Sequence, residues 1–270
     1  MPDAPGAMMV NGKILLATSP VPFSANHFPD PVSYYEYDYS VGAGGTFTRI
    51  NGPTGGLTTP GSTYPHRMLD LPSGQVLYTT GGTQLYVYTP SGSPLAAGKP
   101  TIYGITQNGD GSFHLTGTLL NGISEGANYG DDAQMDSNYP LVRLTSGGSV
   151  YYARTYNWSS TSVNSPNVVS TEFSVQYISP GSYSLQVVAN GIASDSVFFY
   201  GPVWVDFNYG GFFQFGTYTF PYKTLASGVS AVSAGGLIDI KSSTSTETMT
   251  ITKAMDIHAV GGPVTVGIGH

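Results

Sequence analysis

The chain is 270 residues long, 40% hydrophobic and only 9% charged, with a formal net charge of −7 from 16 acids against 9 bases. No Lys/Arg cluster gives a nucleic-acid backbone its electrostatic footprint, and none builds a basic amphipathic helix for a membrane surface. Cysteine is absent, which excludes a disulfide framework, a thiolate zinc site and a cysteine nucleophile together.

Ser, Thr, Gly, Asn and 20 Tyr take the place of charge, a surface that suits secreted β-rich proteins. An extracellular or cell-surface location is therefore expected. The opening residues Met1 to Ala7 contain neither a basic n-region nor an apolar run, so an export signal is expected upstream of this chain. No stretch reaches the roughly 20 apolar residues of a membrane span, and no membrane insertion is expected.

Short runs rich in Val, Ile, Tyr, Phe and Thr, broken by Pro, Gly, Asn and Ser, predict an all-β chain. The first section runs over 1–98. After the Asn11-Gly12 turn comes Lys13 to Ala17, then the Tyr-rich run Tyr34 to Asp38. Three further runs follow: Met68 to Leu71, Gln75 to Thr79 and Gln84 to Tyr88. Pro72-Ser73-Gly74 separates the first two of these and Gly81-Gly82 the last two. This rhythm predicts two blades of a β-propeller, and the double glycine resembles a kelch repeat. Two blades do not close a propeller.

The second section, 99–201, holds seven predicted strands. They are Thr101 to Thr106, Ser112 to Thr118, Leu141 to Thr145, Val150 to Thr155, Ser170 to Tyr177, Ser182 to Ala189 and Ser196 to Phe199. Turns every 8–12 residues point to an immunoglobulin-like sandwich. Alternation places Leu115, Val142, Leu144, Phe173, Leu185 and Val187 on its inner face. A kelch-type propeller followed by Lys99-Pro100-Thr101-Ile102, Tyr139-Pro140-Leu141-Val142 and Gly181-Ser182-Tyr183-Ser184-Leu185 resembles galactose-oxidase-like proteins. In those proteins an early-set immunoglobulin-like domain follows the propeller.

The third section, 202–270, opens with Phe220-Pro221-Tyr222-Lys223-Thr224-Leu225 and an Ala/Val/Ser run to Val232. This predicts one helix, with Pro221 in its first turn and Gly235-Gly236 as its stop. Runs at Leu237 to Ile240, Thr248 to Ile251, Met255 to His258 and Val264 to Val266 predict short strands. The pattern is similar to the N-terminal cap and first coils of a pectate-lyase-like parallel β-helix. Open edges at both ends of the chain predict packing on the sandwich, on each other or on a second copy.

Several constellations could carry chemistry. Tyr64 and His66 lie where galactose-oxidase-like proteins place an adjacent Tyr-His pair, but Pro65 separates them and no Cys exists for the family's cross-link. Copper-radical oxidation is therefore not expected, and His66 reads as a strand-end or loop residue at the surface. Glu125, Asp131, Asp132 and Asp136 are dense enough in oxygen to hold Ca²⁺. Equally, they could bond their own loop backbone. Gly122-Ile123-Ser124-Glu125-Gly126 fits the letters of a nucleophile elbow without the helix that motif requires. The nucleophilic arrangement it leaves is Ser124 with Asp131 and His114. Tyr34, Tyr35, Tyr37 and Tyr39 form one aromatic group, and Tyr151, Tyr152, Tyr156 and Trp158 another. Either could stack on sugar rings or serve cross-strand packing.

The sequence thus predicts a segment of a secreted or cell-surface bacterial β-protein with a binding, adhesive or structural role, in contact with a glycan or small molecule. The alternative is a calcium-dependent hydrolase of a small ester, lactone or glycoside.

Overall fold

The computed structural model describes residues 4–124 and 140–267. Among these the chain is all-β with one α-helix. The acidic positions Glu125, Asp131, Asp132 and Asp136 lie outside the described residues.

Strands β1 (Gly6–Met8), β2 (Ile14–Thr18), β3 (Val32–Asp38), β4 (Thr46–Ile50) and β5 (Thr58–Thr59) form a five-stranded antiparallel sheet, ordered β1-β2-β3-β4 with β5 also on β3. Gly12, at φ 84°, closes the β1–β2 turn, a left-handed conformation that L side chains rarely adopt. Strands β6 (Arg67–Asp70), β7 (Val76–Thr79) and β8 (Leu85–Tyr88) form an antiparallel meander within a residue of the expected bounds. The two sheets bury Met9, Leu15, Ala17, Val32 and Tyr34 with Met68, Val76 and Tyr78 in one core.

Strands β9 (Thr101–Gln107), β10 (Phe113–Thr118), β11 (Leu141–Ser146), β12 (Ser149–Tyr156), β13 (Val169–Phe173), β14 (Gly181–Ala189), β15 (Ile192–Ala193) and β16 (Val197–Gly201) form one eight-stranded antiparallel sheet. The seven expected strands are present, and β15 is an eighth. Long β12 pairs with β11 over most of its length and with β13 at Thr155 and Tyr156. That switch joins what would otherwise be two sheets, and the whole curls until β9 reaches β14, giving a nearly closed, barrel-like sheet. Leu115, Val142, Leu144, Phe173, Leu185 and Val187 are all fully buried inside it. Burying each such side chain is worth about 1.5–3 kcal/mol.

The remaining elements are β17 (Val203–Val205), α1 (Leu225–Ala231), β18 (Gly236–Lys241), β19 (Thr244–Ser245), β20 (Met255–Val260) and β21 (Thr265–Val266). Strands β17, β18 and β20 form a parallel sheet, and β19 pairs in parallel with β21. One face of the larger sheet packs Val203, Val205, Ile238 and Ile240 against Leu225 and Val232. The helix starts later than expected. Tyr222 pairs with Val205 in a bridge, so Pro221 precedes the helix, and Thr224 is its cap, accepting from the Ser227 amide at 3.1 Å. Glu247 completes the cap from a distance, its carboxylate accepting from the amides of Leu225 (2.8 Å) and Ala226 (2.9 Å). Thr248 to Ile251 form no strand; the pairing falls instead at Thr244–Ser245. No helix among the described residues is long and apolar enough to cross a membrane.

Candidate functional site

Of the expected nucleophilic group, His114 and Ser124 fall within the described residues. His114 stands on β10 in register with Thr106 of β9 and Glu172 of β13. It lies four strand residues, about 13 Å, before the strand end that leads on to Ser124. There the amide of Ser124 donates to Asn190 Oδ1 (3.2 Å), and Asn190 Nδ2 donates back to the Ser124 carbonyl (3.0 Å). Asn190 also binds the Ile123 amide (2.9 Å) and Asp70 Oδ2 (3.2 Å), fastening this loop to the N-terminal meander. Asp131 lies outside the described residues.

The second aromatic group divides across its strand. Tyr152 and Tyr156 face outward from β12 while Tyr151 turns inward, packing on the barrel core and on Tyr183 at 6.1 Å between ring centroids. Trp158 follows the strand and donates from Nε1 to Thr155 Oγ1 (2.9 Å).

His66 corrects the expectation of a surface residue: it is 2% exposed. The turn after Thr63 drives it beneath β7, where Tyr78 Oη and His66 Nδ1 are hydrogen-bonded at 2.7 Å. Tyr78 Oη meets Tyr34 Oη at 3.1 Å, and Tyr34 Oη meets Thr59 Oγ1 at 2.6 Å. Burial, with the Arg67 charge beside it, holds the His66 imidazole down at about 4, so it is neutral at pH 7. Burial, with the bond to Tyr34, raises the Tyr78 hydroxyl far above the usual phenol range. The four side chains form a neutral, internally satisfied network. Above it lies a cavity of about 270 Å³ walled by Tyr34, Tyr78, Tyr86 and Tyr88.

Alternation along β3 sends Tyr34 into this core and Ser33, Tyr35 and Tyr37 to the other face of the sheet. There Phe47 of β4 stacks on Tyr37 (4.5 Å, 26°) and meets Tyr35 edge-on (6.2 Å, 90°). Arg49, in register with Tyr35, lies along the same face. Tyr35, Phe47 and Arg49 border an open groove of about 540 Å³ completed by Thr18, Ser19, Val21, Ser33, Thr58 and prolines 20 and 31, and Tyr37 backs Phe47 from outside it. The groove therefore offers aromatic walls, hydroxyls and one guanidinium.

A second polar cluster went unread in the sequence. Asp239 of β18 is fully buried on the face opposite α1. Its Oδ2 accepts from Gln107 Nε2 (2.6 Å), Oδ1 has no partner among the described residues, and Gln107 Oε1 in turn bonds His258 Nδ1. Burial pushes the Asp239 carboxyl up to about 7 against the smaller opposing effect of the Gln107 bond. Since β18 and β20 pair Asp239 with His258, and Gln107 ends β9, this cluster ties the parallel sheet to the barrel. Its chemistry is that of a buried joint.

No protein-family model matches this chain, and no curated protein matches it in sequence. Among the described residues, the groove on the outer face of β3 and β4 combines accessible aromatic, hydroxyl and guanidinium groups. A signal for it existed in the sequence: the alternation Ser33, Tyr35, Tyr37 and the pair Phe47, Arg49. Its assembly depends on the β3–β4 register, which pairs Tyr35 with Arg49 and Tyr37 with Phe47.

Proposed function

We propose that this chain is a glycan-contacting and structural segment of a secreted or cell-surface bacterial β-protein. The observation that carries the reading is the groove in which the rings of Tyr35 and Phe47, the latter backed by Tyr37, stand beside the hydroxyls of Ser33 and Thr58. Sugar rings present apolar C–H faces and a rim of hydroxyls, and aromatic walls with a few placed polar groups match both. A surface with little charge supports the same reading.

In this reading residues 1–98 are two kelch-like propeller blades, 99–201 an early-set immunoglobulin-like domain, and 202–270 the cap and first coils of a parallel β-helix. The order resembles galactose-oxidase-like proteins in its first two parts. Open edges would then be covered by neighbouring coils and blades or by a second copy of the chain.

The test is isothermal titration of the full chain with cellotetraose, a neutral β-linked probe. Phe47→Ala should weaken binding at least tenfold with an unchanged melting temperature, because Phe47 is 54% exposed and holds little of the core. Equal binding by the variant, or no binding by either protein, would overturn the reading.

A further inference from the structure

We propose that the groove on the outer face of β3 and β4 selects carboxylate-bearing sugars, with Arg49 as the residue that reads the acid. This deepens the glycan-contact reading above and rests on it.

The lining of the groove contains one charged side chain, and it is positive although the chain as a whole carries −7. The three cations of the N-terminal sheets differ in how they are used. Lys13 is paired with Glu36 at 3.3 Å. Arg67 donates to the carbonyls of Tyr64 (2.8 Å) and His66 (2.7 Å), which holds the turn. Among the described residues Arg49 makes two long contacts from one terminal nitrogen, to Ser33 Oγ and to the Leu57 carbonyl, both 3.4 Å. Among the described residues it has no acidic partner.

An exposed guanidinium with weak internal bonds keeps most of its planar donor fork available. That fork matches the two oxygens of a carboxylate, and such charge-assisted pairs are shorter and roughly twice as strong as neutral ones. Tyr35, opposite Arg49 in the ladder, lies beside it with Phe47 two residues back along β4. A pyranose lying against Tyr35 and Phe47 would set the exocyclic C6 group borne on its C5 within reach of the guanidinium. In a hexose this substituent is a hydroxymethyl; in a hexuronate it is a carboxylate. Asp30, the acid next to Pro31 at the groove rim, has Oδ1 engaged by the Gly61 amide (3.0 Å).

The experiment compares two tetramers of the same linkage, cellotetraose and β-1,4-linked glucuronate, on the full chain and on Arg49→Gln and Arg49→Lys, all checked for unchanged melting. The expected result is at least tenfold tighter binding of the glucuronate tetramer, a preference that Arg49→Gln abolishes and Arg49→Lys only partly restores. Cellotetraose, which carries no acid, should lose much less affinity on replacement of Arg49 than the glucuronate tetramer does. Equal binding of both tetramers, indifferent to Arg49, would overturn the acid selectivity while leaving glycan contact standing. A glucuronate preference that survives Arg49→Gln would overturn the assignment to Arg49. Binding of neither tetramer would overturn both.

Discussion

His66 and Asp239 are buried groups whose protonation equilibria are displaced in opposite senses, and each writes a pH dependence into stability. The His66 imidazole is lowered from 6.5 to about 4. The folded state therefore binds fewer protons than the unfolded one between these values. Its contribution is complete above pH 6.5 and is lost as pH falls through about 4. The Asp239 carboxyl is raised from 3.8 to about 7. Its contribution is complete below pH 3.8 and is lost as pH rises through about 7. The two windows overlap and their slopes oppose, so the native chain should show a flat melting temperature between about pH 4 and 6.5. Asp239→Asn should remove the falling limb, so its melting temperature rises with pH in this range and exceeds the native value at pH 8. His66→Gln should do the reverse and fall with pH. Parallel profiles for native chain and variants would contradict both assignments. Neither group announced itself in the sequence. Tyr64-Pro65-His66 reads as a turn because Pro favours one, and only the packing of β6–β8 onto β1–β5 brings Tyr78 over the ring. Asp239 sits in an apolar strand, Leu237 to Ile240, where alternation reveals a face but not that β9 will cover it.

At the scale of elements, the N-terminal sheets and the barrel meet at two glycines. A Cβ on Gly191 would lie 2.7 Å from Gly74 Cα and 3.0 Å from the Leu71 carbonyl oxygen, and Gly191 itself has φ 70°. Backbone faces backbone there, so neither side yields cheaply. Gly191→Ala should cost about 1–2 kcal/mol from the left-handed conformation alone, with more from the clash. Calorimetry should show a melting temperature lower by several degrees; an unchanged melt would mean that the junction relaxes. Within the barrel, Leu115→Ala should cost roughly 2–5 kcal/mol, read by urea denaturation. A loss below about 1 kcal/mol would show that the inside of the sheet is loosely filled. Leu115, Val142 and Leu185 were legible beforehand because a strand with one buried face repeats every second residue. The short parallel rungs were less legible: Thr248 to Ile251 has strand composition but makes no pairing, whereas Thr244–Ser245 pairs with β21 through two residues. At that length composition carries little, and stacking of successive coils decides the register. Likewise the helix starts past Pro221 because Tyr222 is drawn into a bridge with Val205 and Thr224 caps it, with Glu247, 22 residues beyond Leu225, adding to that cap.

At the scale of the molecule, three packed cores are strung along the described residues, and two exposed aromatic surfaces stand out. Phe212, Phe213, Phe215 and Phe220 form a continuous chain of ring contacts between 5.4 and 6.0 Å, and Phe212 is 89% exposed. The loop bearing them is held by bonds from the Phe215 amide to the Phe220 carbonyl (2.8 Å) and from the Lys223 amide to Gln214 Oε1 (2.9 Å). Apolar patches of this kind on soluble proteins are commonly interaction sites. If copies cover each other here, light scattering should give a mass above 28.4 kDa that Phe213→Ser returns to the monomer value. A concentration-independent monomer for the native chain would count against self-association. The outer face of β3 and β4 is the other such surface, and the functional account rests on it. The most direct test is a ¹⁵N–¹H spectrum of the full chain titrated with cellotetraose. The account predicts saturable shifts at the amides of Ser33, Tyr35, Phe47, Arg49 and Thr58, with the barrel strands unmoved. Shifts confined to the Tyr152–Trp158 region, or none at millimolar sugar, would contradict it.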